Sequence, residues 1–260
     1  MADARRLAQR GSAGRELSVG GYARLDRDRF RRVGVPEIIL GEGKSVAHLV
    51  GIVRACAAHG HGALISRPTD AQLRALRLES SRGLPLRFLA SDRLVRLSGP
   101  LGGEYRPGVV AVVSAGTSDV PLAEEARATL REFGIRVVTA YDVGVAGLHR
   151  LLRAADRLER SHPEVYLAFA GREGALPTVL AGLVRAPVVG VPTSVGYGRG
   201  GRGEAALNAM LQSCAPIAVV NIDASVPAAL FAAQRFAVTP RSSRPGRGAK
   251  RGTSRPRKER

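Results

Sequence analysis

The chain has 260 residues, a net charge of +18, 45% hydrophobic residues and 4% aromatic residues. No apolar run reaches transmembrane length and the N-terminus lacks a signal-peptide core, so we expect a cytoplasmic protein without a membrane partner. Two cysteines do not make a disulfide framework, and the absence of Trp argues against a stacking platform for single-stranded nucleic acid.

Composition divides the chain into four parts. We predict a flexible N-terminus at 1–20, a small α/β domain at 21–104, a catalytic α/β domain at 105–238 and a disordered basic tail at 239–260. Residues 241–260 hold nine basic residues and one acidic residue, which is +8 of the total charge of +18. We interpret the tail as solvated, and weak contact with RNA or acidic surfaces is the alternative.

The small domain is predicted from short periodic segments. Helices are predicted at 25–32, 45–58 and 71–78, strands at 38–40, 63–66, 86–89 and 94–97, and a Gly- and Pro-rich linker at 98–108. Cys56 lies beside Val53 in the second helix and is interpreted as a small core residue. The Gly-Glu-Gly-Lys-Ser turn at 41–45 lacks the first glycine of a phosphate loop, which argues against a nucleoside triphosphatase, although Lys44 could meet a phosphate.

Strands and helices alternate after residue 108. Strands are predicted at 109–113, 135–140, 165–170, 188–191 and 217–222, with helices at 122–133, 148–160, 176–184, 205–214 and 228–236. Five such units with buried-type strands predict a three-layer parallel sheet of the Rossmann or flavodoxin type. Right-handed crossovers place every loop that follows a strand at one edge of this sheet.

These loops contain the candidate binding residues. Open α/β sheets bind ligands at the carboxyl ends of their strands, and polar groups from five segments converge there. For the first loop, at 114–119, a plain helix cap by Ser118 and Asp119 is the alternative explanation. The substrate-binding candidates are Ser114, Gly116, Thr117, Ser118, Asp142, His149, Gly171, Arg172, Pro192, Thr193, Ser194, Gly196 and Tyr197.

The segment 192–203 is predicted to be a mobile lid because it contains five glycines. Its glycines also match a dinucleotide fingerprint, but the match begins seven residues after the strand, where the fingerprint requires an immediate turn. Cys214 is predicted to end the helix that follows. The macrodipole there disfavours a thiolate, so position alone favours a structural thiol unless Arg172, Arg199 or His149 supplies a charge.

Several strings together resemble the LarB family of nickel-pincer cofactor biosynthesis, which is related to the PurE aminoimidazole ribonucleotide carboxylases. They are Pro-Glu-Ile-Ile-Leu-Gly-Glu-Gly-Lys at 36–44, Ser-Ala-Gly-Thr-Ser-Asp at 114–119, Asp-Val-Gly-Val-Ala-Gly-Leu-His-Arg at 142–150, Ala-Gly-Arg-Glu-Gly-Ala-Leu-Pro at 170–177, Pro-Thr-Ser-Val-Gly-Tyr-Gly at 192–198 and Ser-Cys-Ala-Pro at 213–216. The resemblance implies a PurE-like catalytic domain and a homo-oligomer, for which an octamer is one expected form.

The resemblance also implies a reaction. LarB-like enzymes carboxylate the pyridinium ring of nicotinic acid adenine dinucleotide at C5, with carbon dioxide or bicarbonate as co-substrate. They also hydrolyse its phosphoanhydride, which gives AMP and pyridinium-3,5-biscarboxylic acid mononucleotide. Cleavage of the phosphoanhydride suggests Mg²⁺ between phosphate oxygens.

The same resemblance assigns the catalytic candidates. Cys214 occupies the position of the family's nucleophile, which adds to the ring. Glu173 is the candidate for removing the C5 proton. Asp119, the third catalytic candidate, matches with Ser118 the element that holds the ribose phosphate end in the carboxylase relatives.

The chain departs from the family pattern at three places. Arg172 stands where the family has Met, and a residue is missing after Pro216. After Asp223, the residues Ala-Ser-Val-Pro replace the family's Asn-Gly-Phe-Gly.

An aminoimidazole ribonucleotide carboxylase or mutase, which needs neither the cysteine nor the N-terminal domain, is the alternative enzyme. A basic nucleic-acid-associated protein that binds through its tail is the alternative of another class.

Overall fold

The computed structural model describes residues 16–238, so the predictions for 1–15 and 239–260 lie outside the described residues. This part of the chain contains a five-stranded sheet, a four-stranded sheet and two two-stranded ribbons. The predicted α/β class with a parallel sheet is confirmed. Among residues 16–238, no helix combines the length and apolar character that crossing a membrane requires.

The described chain begins with an antiparallel hairpin rather than a flexible segment. Its strands are β1 (Glu16–Val19) and β2 (Ala23–Asp26), and Leu17 and Val19 are buried. The predicted flexible N-terminus is therefore wrong for residues 16–20. The first helix, α1 (Arg29–Val33), starts later than predicted because residues 23–26 pair as a strand. Gly34, with φ of 75°, ends α1 as predicted.

The smaller sheet forms between residues 38 and 97. Its elements are β3 (Ile38–Leu40), α2 (Val46–Ala58), β4 (Ala63–Ser66), α3 (Asp70–Ser81), β5 (Leu86–Leu89) and β6 (Leu94–Leu97). The strand order is β3-β4-β6-β5, and only β3 and β4 pair in parallel. Ser45 caps α2 and Thr69 forms a capping box on α3, so the sequence sets both helix starts. Cys56 is buried in the core under these helices, as predicted.

The larger sheet and its helices form between residues 109 and 234. Its elements are β8 (Val109–Ser114), α4 (Val120–Glu132), β9 (Arg136–Ala140), α5 (Leu148–Glu159), β10 (Val165–Ala170), α6 (Ala175–Ala181), β11 (Val188–Pro192), α7 (Glu204–Leu211), β12 (Ile217–Val219) and α8 (Ser225–Gln234). The sheet is fully parallel and has the order β12-β11-β10-β8-β9. Helices α4 and α8 cover one face, and α5, α6 and α7 cover the other. Apolar runs form the central strands β8 and β10 because both of their faces are buried.

The two sheets share one hydrophobic core. Leu64 of β4 and Leu94 of β6 pack in the same cluster as Leu122 and Ala126 of α4. A short strand inside the predicted linker, β7 (Glu104–Tyr105), pairs with β13 (Ala237–Val238). The linker therefore connects the two sheets through ordered backbone.

A buried carboxylate lies at the junction of the sheets. Glu125 of α4 is fully buried and accepts hydrogen bonds from Ser66 Oγ (2.9 Å), Ser225 Oγ (2.7 Å) and Arg93 Nε (3.2 Å). Ser66 ends β4, Arg93 lies in the turn before β6, and Ser225 begins α8. A buried charge is tolerated when it is paired and hydrogen-bonded, so this cluster fixes the relative position of three segments.

Candidate functional site

The first loop of the site is organised by a buried aspartate. Asp119 accepts a hydrogen bond from the Gly116 amide at Oδ2 (2.8 Å) and one from Thr193 Oγ1 at Oδ1 (2.6 Å). Its carboxylate makes no capping bond to α4, although the bond from Gly116 caps the single turn at Thr117–Asp119. Through Thr193, Asp119 also ties the loop after β8 to the loop after β11.

The environment of Asp119 also changes its protonation. Burial raises the pKa of this carboxyl above its ordinary value, and the hydrogen bonds that it accepts oppose the shift without cancelling it. Asp223 adds a like charge that raises the pKa further. A carboxyl in this setting is suited to holding a proton or to accepting a hydroxyl hydrogen bond from a ligand.

Gly171 brings the loop after β10 into direct contact with the lid, residues 192–203. A Cβ atom at this position would lie 2.1 Å from the Val195 carbonyl oxygen and 2.8 Å from Thr193 Oγ1. Only glycine permits this approach. The next residue, Arg172, adopts a left-handed backbone with φ of 48° and donates its amide to the same carbonyl at 3.4 Å.

Arg172 and Tyr197 form the exposed part of this contact. Arg172 Nη1 donates a hydrogen bond to the Tyr197 hydroxyl at 2.7 Å, and the guanidinium lies 4.7 Å from the ring centroid. A guanidinium stacked on an aromatic ring keeps its charge and its planar donors. The arginine that replaces the family's Met therefore supports the lid.

The loop after β9 contributes a second arginine. Asp142, with φ of 56°, donates its amide to Ser114 Oγ at 3.2 Å. Its carboxylate accepts a hydrogen bond from Arg150 Nη1 at 2.6 Å, which directs Arg150 toward the other loops. His149 is exposed in the first turn of α5 and does not line the cavity described next.

One cavity lies between these loops at the carboxyl edge of the sheet. It is lined by Ala115, Gly116, Ser118, Asp119, Gly144, Val145, Ala146, Arg150, Gly171, Arg172, Glu173 and Val195. Six of the predicted site residues therefore converge on it: Gly116, Ser118, Asp119, Gly171, Arg172 and Glu173. Ser114, Asp142, Thr193 and Tyr197 adjoin this set through the hydrogen bonds described above.

Two functional positions were missed among the predicted site residues. Arg150 lines the cavity, although only the end of the string at 142–150 pointed to it. Asp223 accepts the Ser194 amide at Oδ1 (2.7 Å) and so fixes the beginning of the lid. The sequence predicted Asp223 at the carboxyl edge of the sheet, but no sequence pattern indicated its hydrogen bond with the Ser194 amide.

Cys214 does not lie in this cavity. The helix α7 ends at Leu211, earlier than predicted, and Cys214 is an exposed residue in the turn that leads into β12. A residue that precedes a parallel strand lies at the amino edge of the sheet. The five residues of β11 alone separate the two edges by about 13 Å, at about 3.3 Å per residue. The structure therefore separates Cys214 from Asp119 and Glu173 within one chain.

No group of three or more His, Cys, Asp and Glu residues in 16–238 is placed to hold a metal ion. At the cavity, Glu173 is an exposed carboxylate, whereas both oxygens of Asp119 already accept hydrogen bonds. The guanidinium groups of Arg150 and Arg172 add positive charge there. These residues do not fit a resident Mg²⁺ site, so we assign no reaction step to a metal held by the chain.

Comparison with known proteins shows which family the part of the chain with the larger sheet resembles. Residues 109–245 match the AIR carboxylase family profile, which is more than half of the chain. The chain belongs to the AIR carboxylase family. Residues 17–84 match the LarB/PurE-like N-terminal domain, a range that covers the hairpin and the segment from α1 to α3 and ends before β5 and β6.

Two relatives and one solved structure are similar to this AIR carboxylase family member over different shares of its length. An uncharacterized protein of Methanocaldococcus jannaschii is 37% identical over 212 residues, which are 80% of this chain and 82% of that protein. An N5-carboxyaminoimidazole ribonucleotide mutase of the same organism is 30% identical over 136 residues, covering 50% of this chain and 80% of the mutase. The crystal structure of Treponema denticola PurE shares 23% identity, covering 47% of this chain and 78% of that chain, with a TM-score of 0.40.

Proposed function

We propose that this protein carboxylates the pyridinium ring of nicotinic acid adenine dinucleotide at C5 and hydrolyses its phosphoanhydride. The products are AMP and pyridinium-3,5-biscarboxylic acid mononucleotide, a precursor of the nickel-pincer cofactor. One observation carries the proposal: a LarB/PurE-like N-terminal domain and an AIR carboxylase domain occur in the same chain. The mutase of Methanocaldococcus jannaschii, in contrast, aligns with half of this chain.

The charges of the cavity support an anionic nucleotide substrate. Arg150 and Arg172 provide two guanidinium groups at its wall, and guanidinium binds carboxylate and phosphate through paired N–H donors. The loop at 114–119 adds the Ser118 hydroxyl and the backbone around Gly116 to the cavity wall. We assign the phosphate end of the substrate to this loop and the ring carboxylate to the arginines.

The proposed carbon–carbon bond formation uses a thiolate and a base. The Cys214 thiolate adds to the cationic ring, and the ring electrons then form a dihydropyridine whose C5 carbon is nucleophilic. C5 attacks carbon dioxide, and one new C–C bond forms. Glu173 accepts the C5 proton, the C–S bond breaks, and the thiolate leaves as the ring regains aromaticity. Water cleaves the phosphoanhydride in a separate step.

This mechanism requires Cys214 from a second copy of the chain. Cys214 and the cavity lie at opposite edges of the parallel sheet within one subunit. We therefore propose a homo-oligomer in which the exposed cysteine turn of one copy faces the carboxyl edge of its neighbour. In such an assembly, the substrate's own positive charge favours the thiolate that approaches it.

Mass spectrometry of the reaction products tests the proposal. The purified protein is incubated with nicotinic acid adenine dinucleotide, bicarbonate and Mg²⁺, beside a Cys214→Ala variant with an unchanged circular dichroism spectrum. We expect AMP and a product one carboxylate heavier than nicotinic acid mononucleotide, formed by the wild type alone. A variant that still forms the product would contradict the covalent mechanism.

A second function is favoured by the mutase relatives, which are about 30% identical. In that case the substrate is an aminoimidazole ribonucleotide or its carboxylated form, and Cys214 has no role. Incubation with these ribonucleotides separates the two functions. Turnover of the ribonucleotide by both the wild type and Cys214→Ala, without turnover of the dinucleotide, would replace the first proposal with the second.

A further inference from the structure

The smaller sheet reaches the lid of the cavity through one arginine. Arg67 follows β4 directly, and its Nη2 donates a hydrogen bond to the Asp223 carbonyl oxygen at 2.7 Å. The Asp223 carboxylate in turn accepts the Ser194 amide at 2.7 Å. The neighbouring Thr193 hydroxyl bonds to Asp119 at the cavity wall. Three consecutive contacts therefore connect the smaller sheet with the cavity.

The backbone at both ends of the first contact is constrained. Arg67 has φ of 51° and Asp223 has φ of 55°, which side-chain-bearing residues seldom adopt. The Arg67 amide is held by the Arg93 carbonyl (2.9 Å), and the Asp223 amide by the Pro192 carbonyl (2.8 Å). Such conformations persist where surrounding contacts over-determine them, and here those contacts include the first residue of the lid.

A network of hydrogen bonds lies beside this contact. Glu125 joins Ser66 of β4 and Arg93, which precedes β6, to Ser225, two residues after Asp223. Ser225 is part of the segment that departs from the family pattern, and its hydroxyl is one of the donors to this carboxylate. Arg67 therefore contacts Asp223 next to a junction that is hydrogen-bonded across both sheets.

From these contacts we propose that Arg67 is a positioning residue of the cavity. By holding Asp223, it fixes the peptide at Ser194 and so orders the lid, residues 192–203, over the bound substrate. The identity of that substrate rests on the proposed function, whereas the ordering of the lid does not. The smaller sheet then acts on substrate binding without touching the substrate.

Hydrogen–deuterium exchange of the lid tests this proposal without any substrate. We expect Arg67→Ala to increase exchange in 192–203 by about tenfold, because a charge-assisted hydrogen bond at its base is lost. Arg67→Lys keeps one donor and should restore most of the protection. Arg87→Ala is the matched control, since it removes another arginine that joins the two sheets, through Glu132 at 2.6 Å, far from the lid.

Steady-state kinetics give the second measurement where the wild type turns over the dinucleotide. We expect Arg67→Ala to raise KM about tenfold and to change kcat less than twofold, with Arg67→Lys between it and the wild type.

Unchanged lid exchange in a folded Arg67→Ala protein would overturn the proposal, as would an equal increase in Arg87→Ala. If Arg67→Ala does not fold, Arg67→Met, which keeps an unbranched stem but has no donor, takes its place: raised lid exchange supports the proposal, and lid exchange equal to the wild type overturns it. An inactive wild type would count against the proposed function alone, because the exchange result stands independently.

Discussion

The two edges of the parallel sheet differ in how their loops are held. At the carboxyl edge, Asp119, Thr193 and Gly171 bind one loop to the next, and the groups are buried or half-buried. At the amino edge, Cys214 is exposed on a turn that is fixed chiefly by Ser213, which bonds to Thr178 and Ala215. One edge forms a cavity, and the other presents an exposed thiol. Under the proposed function, these edges are two half-sites that the association of two copies would combine.

The largest effect is expected when the two half-sites are inactivated separately. Cys214→Ala and Glu173→Gln should each lower carboxylation at least about 100-fold, since each removes a nucleophile or a base. Co-expression of the two variants with different tags gives mixed assemblies. If each site combines groups from two copies, the mixed assemblies should regain a measurable fraction of wild-type activity. Mixed assemblies that stay as inactive as either variant would contradict a shared site.

Thiol labelling tests whether Cys214 at the amino edge is more accessible than the buried Cys56. Burial raises the pKa of Cys56 to about 11, so about one in 10⁴ of its molecules is a thiolate at pH 7. Cys214 is exposed and should react with iodoacetamide at least about 100-fold faster than Cys56. Peptide mass spectrometry after timed labelling measures both rates, and nicotinic acid adenine dinucleotide should slow only the reaction of Cys214. Equal rates for the two thiols would contradict the structure at the amino edge.

Adding one methyl group at Gly171 should disrupt the packing of the loops at the carboxyl edge. Gly171→Ala should destabilise the protein by about 1–3 kcal/mol, because its Cβ would meet the Val195 carbonyl. Gly116→Ala is the control, since its Cβ would meet nothing nearer than the Asp119 carboxylate at 3.6 Å. Urea unfolding measures both free energies. A Gly171→Ala protein as stable as the control would show that the lid moves aside at no cost.

The smallest effect concerns the buried carboxyl. Because the pKa of Asp119 is raised above 3.8 by burial, its native state binds a proton more tightly than the unfolded chain. Its contribution to stability is therefore greatest below pH 3.8 and is lost as the pH rises through the raised pKa. The stability of the wild type relative to Asp119→Asn should fall over that range. Urea unfolding at a series of pH values checks this, and a difference that rises with pH would contradict the assignment.

The sequence predicted those helices, strands and loops that are determined by residues within the same short segment. The apolar run of β8 and the small polar residues after it identified the first loop of the cavity. The start of α2 was predicted at residue 45, and α3 begins at residue 70 where the prediction had 71. The helix α7 was predicted too long, because the Ser213 hydroxyl bonds to the Ala215 amide and competes with helical bonding. The contact of Arg67 with Asp223 spans 156 positions, so no local pattern could reveal it.

The three donors around Glu125 have a consequence for dividing this protein into pieces. A fragment that begins at the linker would keep Ser225 but lose Ser66 and Arg93, and it would uncover the apolar surface that Leu64 and Leu94 occupy. Glu125 would then keep one of the three hydrogen-bond donors described above. We therefore expect the AIR carboxylase half, expressed alone, to be less stable than the same residues in the whole chain.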